Sequence, residues 1–203
     1  MKELNPNSKK VSFDVDSVLL QTEDVILSYI KENYSVDLKT EDVTYWDFYK
    51  DNYPTVFTHL FSDASLYEQV PAVSGMERVL EACLDEFGGS NIQFVTASHP
   101  NMVPSKEGAL RKHFGHLSGY DDVEIVHVGM YGDVSTGCHN KFYYTDGSIL
   151  IDDAIHNIEG HLEYNEKNKA LLFDRGYGWN QGFAHSRVVR VGCPESTLAA
   201  LFG

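Results

Sequence analysis

Asp14 and Asp16 stand two residues apart directly behind the short apolar run Val11-Ser12-Phe13. A second acid pair, Asp152-Asp153, stands behind Ile149-Leu150-Ile151. Residues two apart in an extended chain face the same way, and acids so placed repel unless a cation lies between them. If both runs are central strands, three or four carboxylates converge, a donor set for a hard divalent cation with oxygen ligands, most simply Mg2+. A carboxylate held against such an ion can attack a phosphoryl group and form an aspartyl-phosphate. An acid two residues on can protonate the leaving alcohol and then activate water. The phosphoryl oxygens also need hydroxyl or amide donors and a lysine. Thr96 and Ser98, behind Ile92-Gln93-Phe94-Val95, supply the first, and Lys141, ahead of the Asp152 strand, supplies the second. For one acid pair alone, helix capping or turn formation explains the residues equally well. Two pairs at strand ends, with hydroxyls at a third, favour the site.

The elements that must position these residues read as an α/β fold. Five short apolar runs, over 11–13, 92–95, 124–128, 149–151 and 170–173, are bounded by polar turns, as expected for strands buried on both faces of a parallel sheet. Between them lie stretches with helical spacing. Residues 76–87 place Val79, Leu80, Cys83, Leu84 and Phe87 on one face and stop at Gly88-Gly89. Residues 108–114 and 23–33 are further helices. The alternation predicts a doubly wound parallel sheet, whose ligands bind outside the carboxyl ends of the strands. Residues 186–191 read as an added edge strand. The tract with Tyr45, Trp46, Phe48, Tyr49, Tyr53, Phe57, Phe61 and Tyr67 is too long for a simple crossover. It predicts a small helical cap over 21–73, inserted in a core made of 1–20 and 74–203. Most of these aromatics are expected to be the cap's own core.

The chain has 203 residues, and 16 Lys and Arg against 30 Asp and Glu give a net charge of −14. That balance argues against nucleic acid or an anionic membrane as a partner, because both attract positive charge. With 42% apolar and 12% aromatic residues the chain is not disordered. No apolar stretch approaches the ~20 residues that span a bilayer, and residues 1–10 are polar and mixed, without a leader's apolar region. Cys83, Cys138 and Cys193 form no paired pattern, so a reducing cytoplasm is the expected compartment. His99, His156 and His161 match no zinc spacing and read as loop or surface residues. The stretch 129–137 lacks the Gly-Lys-Ser/Thr of a phosphate-binding loop and reads as a connection to Lys141. Self-association as a homodimer is left open.

With these residues in view, the chain resembles the haloacid dehalogenase (HAD) superfamily of phosphotransferases. Phe13-Asp14-Val15-Asp16-Ser17-Val18, Phe94-Val95-Thr96, Lys141 and Ile151-Asp152-Asp153 stand in the order of its four motifs. The closer resemblance is to the 5′(3′)-deoxyribonucleotidases. It rests on 41–47, similar to that family's cap segment, on Tyr67-Glu68 through Pro71 to Gly75, on Leu150 to Asn157, and on Leu171-Leu172-Phe173-Asp174 with Tyr177 and Asn180. The resemblance covers most of 11–180. It implies Asp14 as nucleophile and Asp16 as acid/base. It implies Mg2+ on Asp14, the Asp16 backbone carbonyl, and Asp152 or Asp153. Thr96, the Ala97 N–H, Ser98 and Lys141 would bind phosphate oxygens. Lys106 matches a family lysine after the second motif, so it competes with Lys141 for the third-motif role. Tyr45, Trp46 and Tyr67 would stack on base and ribose. Departures are Ser17 for the usual Gly, Ala154-Ile155-His156 after the acids, Gly176 for a Pro, the inserted Gly178-Trp179, and Thr22 for an aromatic near the base.

The resemblance implies a Mg2+-dependent phosphatase acting on a small phosphomonoester, with a deoxyribonucleoside monophosphate the first expectation. Two alternatives keep the fold: a phosphatase for a sugar phosphate or another small phosphomonoester, and a binding protein without activity.

Overall fold

The computed structural model describes residues 10–45, 47–56, 63, 65–129 and 140–203. Trp46, Phe57, Phe61 and Cys138 lie outside these residues, as do 1–9 and 130–139.

Six short strands form one sheet: β1 (Lys10–Phe13), β2 (Ile92–Ser98), β3 (Glu124–Gly129), β4 (Ser148–Asp152), β5 (Lys169–Phe173) and β6 (Val188–Val191). Their order is β3-β2-β1-β4-β5-β6, and every pairing is parallel. This is the expected doubly wound α/β arrangement, with the expected tail strand at one edge. The apolar runs are continuous because the sheet is covered on both sides. Ile149, Ile151, Leu171 and Phe173 join one core cluster, while Leu150, Ala170 and Leu172 join a second. Alternate residues of a strand therefore enter opposite cores, as the pleat requires.

The helices are α1 (Thr22–Tyr34), α2 (Phe48–Asn52), α3 (Leu66–Gln69), α4 (Met76–Phe87), α5 (Val103–Phe114), α6 (Phe142–Thr145), α7 (Ile155–Tyr164) and α8 (Pro194–Phe202). α4 occupies the residues that its spacing predicts, and Gly88 ends it. α5 starts five residues before the expected 108. Pro104 lies in its first turn, where a missing N–H is no loss. Gly108, read as a start, is inside the helix on an open face. None of the helices in the described residues is long and apolar enough to cross a membrane.

The insertion between β1 and β2 carries α1 to α4. Ile26, Ile30, Val43, Tyr49, Val56, Leu66, Tyr67 and Val70 belong to the same cluster as Val11 and Phe13 of β1. The expected cap is thus packed into the core of the sheet, and its buried aromatics are core residues.

From β1 the chain builds β2 and β3 on one side, then crosses to build β4, β5 and β6 on the other. The order reverses between β1 and β4, the point in a doubly wound sheet where a crevice beyond the strand ends takes ligands. In the parallel register Phe13 lies beside Ile151, which brings Asp14 level with Asp152. The Asp14 N–H donates to the Ile151 carbonyl at 2.8 Å, the last rung at the crevice floor.

Candidate active site

Four acids and two lysines meet at this switch point, in two groups. In the first, Lys141 Nζ lies 2.7 Å from Asp14 Oδ2 and 3.1 Å from Asp152 Oδ2. Asp14, Asp152, Asp153 and Lys141 are all buried. Carboxylate oxygens of Asp14, Asp152 and Asp153 lie within 4.8 Å of one another. Asp152 is held by the Ala154 N–H at 2.8 Å and by the Asn157 amide at 3.1 Å. Asp14 Oδ1 accepts from the Val15 N–H at 2.6 Å. Asp153 Oδ1 is buried without a hydrogen-bond partner among the described residues. Lys141 leads into α6, which is tied down at its carbonyls. Gln93 Nε2 donates to the Tyr144 carbonyl at 2.7 Å, and the Ser148 hydroxyl donates to the Thr145 carbonyl at 2.5 Å.

One lysine serves three acids, and the electrostatics follow. Burial raises Asp14 to about 7 against the pull of Lys141, with Asp152 and Asp16 adding to the rise. Burial, then Asp14 and Asp152, push Asp153 well above the usual carboxylate range. Burial alone would lower Lys141, but Asp14 and Asp152 outweigh it and hold its charge more firmly than usual.

The second group surrounds Asp16, whose side chain is 29% exposed and the most open of the four acids. Lys106 is almost fully buried and uses all three of its N–H bonds: to Asp16 Oδ2 at 2.7 Å, Thr96 Oγ1 at 2.9 Å and the Ala97 carbonyl at 2.9 Å. Tyr67 Oη and Thr22 Oγ1 each donate to Asp16 Oδ1 at 2.7 Å. Burial would raise Asp16, but Lys106 and the two hydroxyls hold it below the usual range. Directly after Asp16 the chain turns tightly through Ser17, whose φ is +61°. Left-handed backbone favours glycine. Ser17 takes that conformation although it lacks a glycine's freedom.

Other expected residues are placed as follows. Ser98 is buried at the end of β2 and bonded to His127. Ala97 is exposed. Tyr67 was expected against a base, yet it is buried, with its hydroxyl on Asp16 and Lys106 4.7 Å from its ring centre. It therefore positions Asp16. Tyr45 is 43% exposed and packs on Phe48, and Trp46 lies outside the described residues. The Asp16 carboxylate is not part of the three-acid group. His161, expected in a loop or at the surface, is buried, with Nδ1 on Thr145 at 2.8 Å and Nε2 on the Lys169 carbonyl at 3.1 Å. It braces the end of α6.

Several neighbours were not expected from the sequence. In the sequence Thr22 stands out only as a departure from an aromatic, and Asn157 only by its spacing from Asp153. The inserted Trp179 donates from Nε1 to the Asp153 carbonyl at 3.1 Å and stacks on Tyr177 at 4.4 Å. Gly178 before it allows close approach, since a Cβ there would meet the Glu41 and Val43 carbonyls at 2.6 Å. The insertion packs against the backbone of Glu41 and Val43. Glu23, after Thr22, is also buried, with the Tyr49 hydroxyl on its carboxylate.

A divalent cation fits these residues. All the donors are hard oxygens, and Asp153 Oδ1 is a buried acceptor in want of a partner. Its neighbours Asp14 and Asp152 complete a set of three. Asp153 Oδ1 would hold the ion directly, and Asp14 and Asp152 would complete the set, each with one oxygen already on Lys141 and the other on a backbone N–H. Both Asp152 oxygens already accept bonds from the protein.

Comparison with protein-family models gives no match, and no curated protein matches the chain.

Proposed function

We propose that this protein is a divalent-cation-dependent phosphomonoesterase that works through an aspartyl-phosphate, with Mg2+ as the cation. The observation that carries this reading is the division of the acids. Asp14, beside Asp152 and Asp153, is buried at the crevice floor, and Asp16 is held apart on Lys106, Thr96 and Tyr67. A nucleophile and a proton carrier need different surroundings, and these two acids have them.

When bound, the cation supplies positive charge that keeps Asp14 ionised and offsets charge on the phosphoryl oxygens. An Asp14 carboxylate oxygen attacks phosphorus, and the bond from phosphorus to the alcohol oxygen breaks. Lys141 orients Asp14 from the far side. The phosphoryl group draws on Lys106 and Thr96 as donors, and these are the groups that hold Asp16 as an anion. Their transfer to the phosphoryl oxygens weakens the hold on the Asp16 anion, so that Asp16 takes up a proton from solvent or from the phosphomonoester monoanion and gives it to the leaving oxygen. Asp16 then takes a proton from the water that cleaves the aspartyl-phosphate.

Deoxyribonucleoside monophosphates are the first substrate class, by the cap and motif resemblance. A second reading, a small phosphomonoester without a base, is favoured by Tyr67, whose ring and hydroxyl are already engaged within the protein. Phosphate release from deoxyribonucleotides, ribonucleotides and sugar phosphates, with Mg2+ and with chelator, tests both. Release that needs Mg2+ and vanishes in Asp14→Asn is expected. An active Asp14→Asn variant rejects the mechanism, and equal rates on sugar phosphates reject the nucleotide preference.

A further inference from the structure

Ser98, His127 and Glu107 form a hydrogen-bonded chain at the edge of the site, and the reaction above does not use it. His127 lies on β3 beside Thr96, and Gly129 lies beside Ser98. The His127 Nδ1 is 3.1 Å from Ser98 Oγ, and its Nε2 is 3.1 Å from Glu107 Oε1. Glu107 follows Lys106 directly on α5.

The proton positions follow from the ends inward. The carboxylate oxygen of Glu107 accepts, so Nε2 carries the ring hydrogen. Burial lowers the His127 pKa, with Lys106 in the same direction and Glu107 and Asp16 opposed. In the neutral ring Nδ1 is bare and accepts the Ser98 hydrogen. Ser98 has one hydrogen, and it points inward. Its oxygen lone pairs are what remain for a ligand. Phosphoryl oxygens are themselves acceptors, so this is a poor phosphate contact.

We infer that the Ser98–His127–Glu107 chain makes Ser98 an acceptor subsite, selecting substrates whose alcohol portion carries a hydroxyl or amine close to the phosphoryl group. This rests on the phosphomonoesterase reading. Thr96 and Ser98 project to the same face about 7 Å apart along β2. Thr96 is bonded to Lys106 beside Asp16, where the leaving oxygen takes its proton. Ser98 is two residues nearer the carboxyl end of β2 than Thr96, on the side where the alcohol portion would extend from the phosphoryl group. It is a specificity-determining residue, and His127 positions its hydrogen.

Two measurements test this. Long-range proton–nitrogen spectra of histidine-labelled protein should show His127 as the neutral Nε2–H form at pH 7.5, with an Nδ1 signal that moves in Ser98→Ala. An Nδ1–H form or an imidazolium overturns the inference. The second measurement is the ratio of kcat/KM for glycerol phosphate to that for propyl phosphate, which lacks the hydroxyls. Ser98→Ala and His127→Phe should each lower the ratio about two- to tenfold, the worth of one neutral hydrogen bond. His127→Asn, which keeps an acceptor near the Nδ1 position, should restore it. An unchanged ratio in Ser98→Ala overturns the inference, as does an equal loss on both substrates with weaker inhibition by inorganic phosphate. Wild-type protein that hydrolyses no phosphomonoester would instead reject the parent reading, and this subsite's substrate with it.

Discussion

Asp14→Asn should make the cation-free protein more stable while abolishing its activity. Asp14 rises from 3.8 to about 7 on folding, a shift of about three units, or about 4 kcal/mol at 1.36 kcal/mol per unit. The sign is that of a raised carboxylate. The stability is fully present below the unfolded value near 3.8 and is lost as pH rises toward 7. The asparagine carries no such penalty, and its oxygen can still accept from the Val15 N–H, while Lys141 keeps Asp152. At pH 8 in chelator the variant should therefore be about 2–4 kcal/mol more stable, and at pH 4 the two proteins should be equal. For a chain of this size that is roughly 5–15 °C in Tm. Urea unfolding from pH 4 to pH 8 with chelator measures the difference directly. Adding Mg2+ should stabilise the wild type more and narrow the gap. A variant less stable than wild type at pH 8, or a difference that does not change with pH, would refute the account of three acids crowded on one lysine.

Lys106→Met leaves Asp16 with hydroxyl donors but no cation among the described residues. It should cost about 2–3 kcal/mol in urea unfolding, less than for a fully buried pair because Asp16 is partly exposed, and phosphate release should fall at least ~100-fold. Glu23→Gln should stabilise the protein by up to about 3 kcal/mol at pH 8 and by nothing at pH 4, since burial raises Glu23 from 4.5 to about 7; pH-dependent unfolding reads this out. Gly178→Ala puts a Cβ 2.6 Å from two cap carbonyls. It should destabilise by about 1–3 kcal/mol and raise KM, as steady-state kinetics would show.

The sheet was legible because its four inner strands are buried on both faces and so read as apolar runs, each stopped by polar residues. The acid pairs stood out for the same reason: they end those runs. α4 was legible from its one-sided spacing, whereas the start of α5 was hidden. The residue that α5 buries there is Lys106, and a lysine at a buried position carries no apolar signal. Nor could residue type say what an aromatic would touch. Tyr67 has the chemistry to stack on a base or to donate to a carboxylate, and only the packing of α3 on α5 selects the second. His127 escaped notice because its meaning depends on register. Ser98, Glu107 and His127 are spread over thirty residues of sequence, and they meet only because β2 and β3 are parallel neighbours with α5 between them.

Which lysine serves the site was left open by sequence, and the structure makes it two questions. Lys141 belongs to Asp14 and Asp152, and Lys106 belongs to Asp16 and Thr96. The division follows from topology, since Lys141 precedes β4 on one side of β1 and Lys106 follows β2 on the other. Four carboxylates against two ammonium groups leave two negative charges, the amount that one divalent cation balances. Without the ion the burial of these acids is met by proton uptake, which is why Asp14 and Asp153 are raised and Asp16, with a lysine of its own, is lowered. On the proposed function, a bound divalent ion would make the group neutral before a phosphomonoester arrives. The net charge of −14 is therefore no barrier to an anionic substrate. Of the −14, the four acids and two lysines account for −2 and the rest of the chain for −12, so the proposed site sets its own local balance.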